Sequence, residues 1–172
     1  MTGDPSSFPS VDLETLRAVG GAWTTGVVVV TASHAGRDAG LLMVSLAPVS
    51  QDPPLVLWSV DRGSSSLATW LGAPGFALHL LAEDQEPLAW RFAQTGEGKF
   101  DGLALGRGAV GAPLLDGAVA VVECASHARH EAGDHVILVG RVVEAHFAAR
   151  RPLVMHAGRM RGLPSDPQGV TR

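Results

Sequence analysis

Runs of β-branched and apolar residues, separated by glycine- and proline-rich turns, cover most of this chain. The four consecutive valines at residues 27–30 are typical of a strand that is buried on both faces. Shorter or alternating apolar runs predict further strands at residues 40–46, 55–60, 76–81, 117–127, 135–146 and 153–156. Turn residues at 34–38 and 131–134 predict that two pairs of neighbouring strands form hairpins.

Helical patterns are few and short. The sequence predicts helices at residues 11–19, 64–71 and 83–93. Ser10 or Asp12 is the predicted N-cap of the first helix. Residues 94–117 are rich in glycine, and we predict a loop there. Many strands with few helices indicate a mainly β fold, an antiparallel barrel, and argue against a doubly wound parallel sheet.

A single domain is expected from the length of 172 residues. We place it at residues 11–163, after a flexible arm at 1–10 and before a disordered tail at 164–172. The chain is 46% hydrophobic and its net charge is −4, and this charge argues against a protein that binds nucleic acid. Its apolar runs are no longer than strands and its start has no secretory signal, so we expect no membrane segment and a cytoplasmic location.

Three clusters could carry chemistry, and each has a plainer interpretation. Glycines 106, 108 and 111 match a dinucleotide fingerprint, but Pro113 follows where a helix should begin, which favours a simple loop. The histidine-rich segment 127–135 contains no cysteine, and we predict no metal site there. The serines at 64–66 could cap a helix or bind a phosphate group, and the residue types leave both open. Cys124 lies within a predicted strand, where burial fits better than catalysis.

Taken in chain order, eight short motifs resemble those of the flavin reductase-like, FMN-binding split-barrel family. They are T-G-V-V-V-V-T at residues 25–31, the segment 40–57, Ser65-Ser66, the segments 75–81 and 89–93, Lys99-Phe100, G-A-P-L-L at 111–115, Gly133-Asp134-His135, and Arg151-Pro152-Leu153 with Gly158. The resemblance as a whole runs from about residue 16 to residue 163.

The resemblance implies an antiparallel split β-barrel with a few short helices that works as a homodimer. It also implies an NAD(P)H:flavin oxidoreductase, which transfers a hydride from NADH or NADPH to FMN or FAD. A partner flavin-dependent monooxygenase would receive the reduced flavin. Because the cofactors carry this chemistry, the protein has to bind and position the two rings and needs no catalytic triad.

The resemblance also implies which residues hold the cofactors. The flavin would lie across Leu41, Leu42, Val44 and Ser45 on one strand and Ser59, Val60 and Asp61 at the end of another, with its phosphate on Ser65 and Ser66. His135 would position the nicotinamide, helped by Gly133, Asp134, Arg151 and Pro152.

Two positions depart from the family pattern. The family often has a small or hydroxyl residue, commonly Thr, where this chain has Leu42, and often Asn, Gln or Ser where it has Val44. Neither apolar side chain can hydrogen-bond the flavin. We place both side chains on one face of the strand and expect the flavin to bind loosely. Three alternatives stay open: a non-catalytic cofactor-binding split barrel, a flavin-dependent enzyme with another substrate, and a dimeric structural or partner protein.

Overall fold

The computed structural model describes residues 10–163. Its helices are α1 (Leu13–Ala22), α2 (Leu67–Gly72) and α3 (Glu86–Ala93), and a 3-10 turn at Glu83–Gln85 leads into α3. The disordered tail predicted at 164–172, and all of the predicted arm except Ser10, lie outside the described residues. No helix within residues 10–163 is long and apolar enough to cross a membrane.

The described residues form twelve strands. They are β1 (Thr25–Gly26), β2 (Val28–His34), β3 (Arg37–Met43), β4 (Ala47–Gln51), β5 (Pro54–Asp61), β6 (Gly75–Leu80), β7 (Leu105–Arg107), β8 (Pro113–Leu115), β9 (Ala120–Ala132), β10 (His135–Phe147), β11 (Leu153–His156) and β12 (Arg159–Gly162).

Every strand pair is antiparallel, and seven strands form the main sheet in the order β3-β2-β6-β9-β10-β5-β4. The outer strands β3 and β4 are consecutive along the chain but do not pair with each other, so the barrel is split between them. A three-stranded sheet, β1-β11-β12, and the pair β7-β8 complete the fold. The predicted antiparallel, mainly β barrel is confirmed.

The valine run serves two cores, as its burial on both faces predicts. Val28 and Val30 join a cluster around Trp58 and Leu78, while Val27 and Val29 join a second cluster formed with Phe92 of α3. Alternate residues of a strand point to opposite faces, and both faces of β2 are covered. β2 therefore holds helix α3 against the barrel.

The loop predicted at residues 94–117 is wrong in part, because it contains β7 and β8. Polar side chains attach this short hairpin to the barrel. The guanidinium of Arg107 donates two hydrogen bonds of 2.7 and 2.6 Å to Asp38 on β3, and the Thr31 hydroxyl donates to the Pro113 carbonyl at 2.6 Å. Three-residue strands with Gly and Pro give no hydrophobic period to detect.

Several other boundaries also differ from the predictions. The strand predicted at residues 40–46 spans Arg37–Met43, and β4 and β12 were not predicted at all. The first helix begins after Asp12, whose carboxylate accepts hydrogen bonds of 2.8 Å from the Thr15 amide and hydroxyl, so Asp12 is the N-cap in place of Ser10.

Candidate functional site

A cavity of about 420 Å³ lies where the end of α1, strand β1, the β3–β4 connection and the β11–β12 turn meet. It is lined by Gly20, Gly21, Trp23, Thr25, Val44, Ser45, Leu46, Ala47, Met155, Ala157 and Gly158. A second cavity of about 300 Å³ shares Trp23, Thr25, Val44 and Leu46 with it. Both are of the size expected for sites that bind small ring compounds.

A tight turn between β11 and β12 supports one wall of the larger cavity. Ala157 and Gly158 form this two-residue turn with φ angles of 48° and 71°, as the common hairpin turns require. The Ala157 amide donates to the Gly21 carbonyl at 2.9 Å, and the Thr24 hydroxyl lies 2.9 Å from Nδ1 of His156. These bonds hold the end of α1 over the cavity.

The cavity walls are mostly apolar, and two hydroxyl groups interrupt them. The Ser45 hydroxyl oxygen accepts a hydrogen bond of 3.1 Å from the Ser59 amide on β5. The Thr25 hydroxyl oxygen is buried and has no hydrogen-bond partner among the described residues. A buried polar atom without a partner is costly, and a ligand carbonyl or ring nitrogen would supply one. The cavity therefore fits a largely apolar ligand that carries a polar edge.

Several of the predicted site residues do lie together. Ser59 and Asp61 belong to β5, and Asp61 pairs across the sheet with His135 of β10. The Ser64 amide donates to the Asp61 carbonyl at 3.0 Å, which places the three serines directly after this strand end. Neither the Ser65 nor the Ser66 hydroxyl has a hydrogen bond within residues 10–163, so both are available to a ligand.

The Gly133-Asp134-His135 segment is the turn between β9 and β10. Gly133 has a φ of 64° at the first position of this two-residue turn, where a type II′ turn needs glycine. Nδ1 of His135 lies 2.8 Å from Oδ1 of Asp134, and this hydrogen bond lowers the pKa of the Asp134 carboxyl. The pair presents a half-buried imidazole beside the end of β5.

Arg62 is a cation at this place that the sequence analysis missed. Its amide donates to the Asp134 carbonyl at 2.9 Å, its Nε donates to the Gly133 carbonyl at 3.1 Å, and its guanidinium pairs with Glu131. Arg62 directly precedes the Gly-Ser-Ser-Ser segment at residues 63–66. This position beside a candidate phosphate site is the feature of the sequence that could have identified it. We call Arg62, Ser65 and Ser66 the phosphate patch.

Other predicted site residues lie elsewhere. Pro152 bridges Ala82, and Nε of Arg151 lies 3.3 Å from the Glu83 carboxylate. This segment adjoins the end of β6 that pairs with the beginning of β9, whereas His135 pairs with the last residue of β9. A thirteen-residue strand is about 40 Å long, so one chain does not bring Arg151 and Pro152 to the Gly133–His135 turn.

The predicted flavin-facing strand also divides. Leu41 packs against the core around Trp58, here called the first core, and Leu42 against the core around Phe92, here called the second core. The two side chains separate because β3 lies between the two cores. β3 ends at Met43, so the alternation that would place Leu42 and Val44 on one face does not continue. Of the four residues predicted on this strand, only Val44 and Ser45 line the larger cavity. The side chain of Val60 is buried in the first core, which leaves only its backbone for a ligand.

Comparison with known proteins adds to this geometry. Residues 21–164 match the family described as "Flavin reductase like domain". The chain is 43% identical over 138 residues to "FMN reductase (NADH) SmoA" of Agrobacterium fabrum, which covers 80% of this chain and 79% of that protein. It is 32% identical over 168 residues to "Flavin-dependent monooxygenase, reductase subunit HsaB" of Rhodococcus jostii, covering 96% and 86%.

A solved structure agrees with these relatives. Streptomyces globisporus NADH:FAD oxidoreductase SgcE6, in complex with NAD and FAD fragments, superposes with a TM-score of 0.85. The two sequences are 36% identical, and the match covers 93% of this chain and 99% of that one.

Proposed function

The chain belongs to the flavin reductase-like domain family and is a flavin reductase that uses NADH or NADPH, and from this premise we propose where it holds its cofactors. The ring of FMN or FAD would lie in the larger cavity against Val44 and Ser45. Its phosphate would lie on the phosphate patch. The contact between Ser45 and Ser59 carries this proposal, because it joins the cavity wall to the strand that ends at the patch.

The residues present fit such a cofactor. When bound, a flavin would supply the hydride acceptor of this two-electron reduction, and the nicotinamide would be the hydride donor. The apolar lining residues can pack against the ring, and the Thr25 hydroxyl, which has no hydrogen-bond partner within residues 10–163, can bond its polar edge. Ser65, Ser66 and the Arg62 guanidinium can bind an anion. His135 lies beside the end of β5, where it can position a nicotinamide.

A direct titration tests the function itself. Purified protein is titrated with FMN and with FAD, and NADH or NADPH is then added without oxygen. We expect saturable binding followed by loss of the visible flavin absorbance. Binding without any reduction by either nicotinamide would instead support a non-catalytic cofactor-binding protein.

The Ser65→Ala, Ser66→Ala double variant tests the phosphate patch. We expect FMN binding to weaken by about 1–3 kcal/mol, the usual scale for hydrogen bonds to a charged group. Isothermal calorimetry with FMN measures the loss. Riboflavin, which lacks the phosphate, is the matched control and should bind both proteins equally. Equal FMN affinity in the double variant would remove these serines from the site.

His135→Ala tests the role of the Gly133–His135 turn. We expect the KM for NADH to rise about three- to tenfold, because the variant loses one hydrogen bond to the nicotinamide. The Kd for FMN should stay the same. Steady-state kinetics and a flavin titration measure the two values. His127→Ala, at an exposed position of β9, is the control. A lower melting temperature with unchanged kinetics would assign His135 to folding.

Val44 and Leu42 should respond differently to polar substitution. Val44→Asn adds an amide at the cavity wall, and we expect flavin binding to tighten by about two- to tenfold through one new hydrogen bond. Leu42→Thr places a hydroxyl in the second core, so we expect lower stability without tighter binding. Fluorescence titration and urea unfolding separate the effects. Tighter binding in Leu42→Thr would return Leu42 to the site.

The native protein is proposed to be a homodimer. Leu13, Leu16 and Val19 recur every three residues and share one side of α1, yet 58–62% of each residue is exposed. Such a stripe marks a surface that another protein covers, and a second copy of the chain would bury it. We expect twice the chain mass by light scattering, and a shift towards the chain mass in Leu16→Glu. A wild-type protein of single-chain mass would contradict this.

The reduced flavin is proposed to leave for a separate oxygenase. Relatives such as HsaB are named reductase subunits of flavin-dependent monooxygenases. An apolar wall at Val44, where the family often has a hydrogen-bonding residue, favours loose binding and release. Wild-type protein that keeps a yellow flavin through dialysis would contradict loose binding.

A further inference from the structure

Trp23 is the only aromatic side chain that lines either cavity within residues 10–163. It borders both cavities, and 75% of it is exposed. The other lining side chains near it are aliphatic or small, including Val44, Leu46 and Met155. A flat ring in the larger cavity would therefore find one aromatic surface to stack on.

The backbone of Trp23 is fixed although its ring is not packed. Its amide donates to the Gly20 carbonyl at 3.2 Å, closing the last turn of α1. The neighbouring Gly21 and Thr24 are bonded to the β11–β12 turn at 2.9 Å each. The indole is thus attached at the edge of both cavities and is mostly exposed in the single chain.

Most other large aromatic side chains within residues 10–163 already have structural contacts, and the exposed Phe147 lines neither cavity. Trp58 and Trp70 pack edge to face in the first core, with ring centroids 5.3 Å apart. Phe92 and Phe100 pack together at 5.2 Å beside β3. Trp90 lies on α3, and its indole nitrogen donates to Glu86 at 3.1 Å. None of these side chains lines either of the two cavities described above within residues 10–163.

We propose that Trp23 stacks on the ring system of the bound flavin and supplies much of the affinity for the ring itself. This inference rests on the placement of the flavin proposed above. An electron-rich indole and an electron-poor flavin ring attract each other face to face, and such stacking replaces part of the missing hydrogen bonding at Val44. Stacked indole also quenches flavin fluorescence by donating an electron to the excited ring.

The test uses the full chain as wild type, Trp23→Phe, Trp23→Ala and the control Trp90→Ala. Each protein is titrated with FMN and with riboflavin, following fluorescence anisotropy for the Kd and the lifetime of the bound flavin for stacking. Trp23 and Trp90 are both exposed, so each variant should keep the wild-type melting temperature.

For Trp23→Ala we expect the Kd to rise about tenfold for both ligands, because the ring is common to them. The bound flavin should also gain a longer lifetime. Trp23→Phe should recover most of the affinity but keep the long lifetime, since a phenyl ring donates electrons poorly, and Trp90→Ala should match wild type. Wild-type affinity and lifetime in Trp23→Ala would overturn the stacking and leave the reductase function standing. Failure of the wild type to bind either ligand would overturn both.

Discussion

The free energy of unfolding is expected to fall by about 3 kcal/mol as the pH is lowered from 7 to 4, with His79 as the main cause. His79 lies on β6, and none of its surface is exposed. Its Nδ1 donates to the Val29 carbonyl at 3.0 Å, and its Nε2 accepts from the Leu115 amide at 3.1 Å. Burial lowers the pKa of this imidazole from 6.5 to about 4.

The direction follows from proton uptake. Between pH 6.5 and about 4 the unfolded chain binds a proton at His79 and the folded chain does not, so acid favours unfolding. The full stability is present above pH 6.5 and declines until the folded imidazole itself titrates. The difference between the unfolded pKa of 6.5 and the folded pKa of about 4 corresponds to about 3 kcal/mol in the free energy of unfolding.

Urea unfolding at a series of pH values measures this loss. His79→Gln keeps a donor and an acceptor but does not titrate, so its stability should change less with pH than that of the wild type. His127→Gln, at an exposed position of β9, is the matched histidine control. Parallel curves for wild type and His79→Gln would show that another group causes the acid sensitivity.

Gly40→Ala is expected to destabilise the protein by about 3 kcal/mol, at the upper end of the cost of overpacking. A Cβ at this position would lie 2.6 Å from Cδ1 of Phe92 and 2.9 Å from Cζ of Phe100. Phe92 is fully buried and cannot move aside. Gly26→Ala is the control, since a Cβ there meets nothing within 4 Å.

A second substitution sharpens this test. Phe100→Leu removes one of the two rings, so it should restore part of the stability when combined with Gly40→Ala. Thermal unfolding of the two single variants and the double variant gives the coupling energy. A melting temperature equal to wild type in Gly40→Ala would mean that the β3–α3 contact is loose.

The parts of the fold that the sequence predicted are those set by hydrophobic pattern. The valine run of β2, the long strands β9 and β10, and the helix ending at Ala93 were found because burial dictates their residues. The sequence did not predict β7, β8 and β12, because strands of three or four residues are too short to show a hydrophobic period. Polar contacts such as the hydrogen bond from Arg107 to Asp38 hold β7 in place.

The candidate site was predictable where short motifs fix a turn, and not where it depends on packing. Gly133 could be identified because its tight turn requires a glycine, and Ser65 because it follows shortly after a strand end. Leu42 was misplaced because a strand end cannot be located to one residue, and one residue changes the face. Trp23 was overlooked because the helical pattern of α1 does not show which of its residues border a cavity.

Lys99, the only lysine in the sequence, has a practical consequence. Its ammonium donates hydrogen bonds to the Gly40 and Phe92 carbonyls at 3.1 and 3.2 Å, and burial lowers its pKa. A protease that cleaves only after lysine has one target bond here, and that bond is protected while these contacts hold. Its cleavage rate therefore reports how often the segment around Phe100 detaches from β3, with no label attached to the protein.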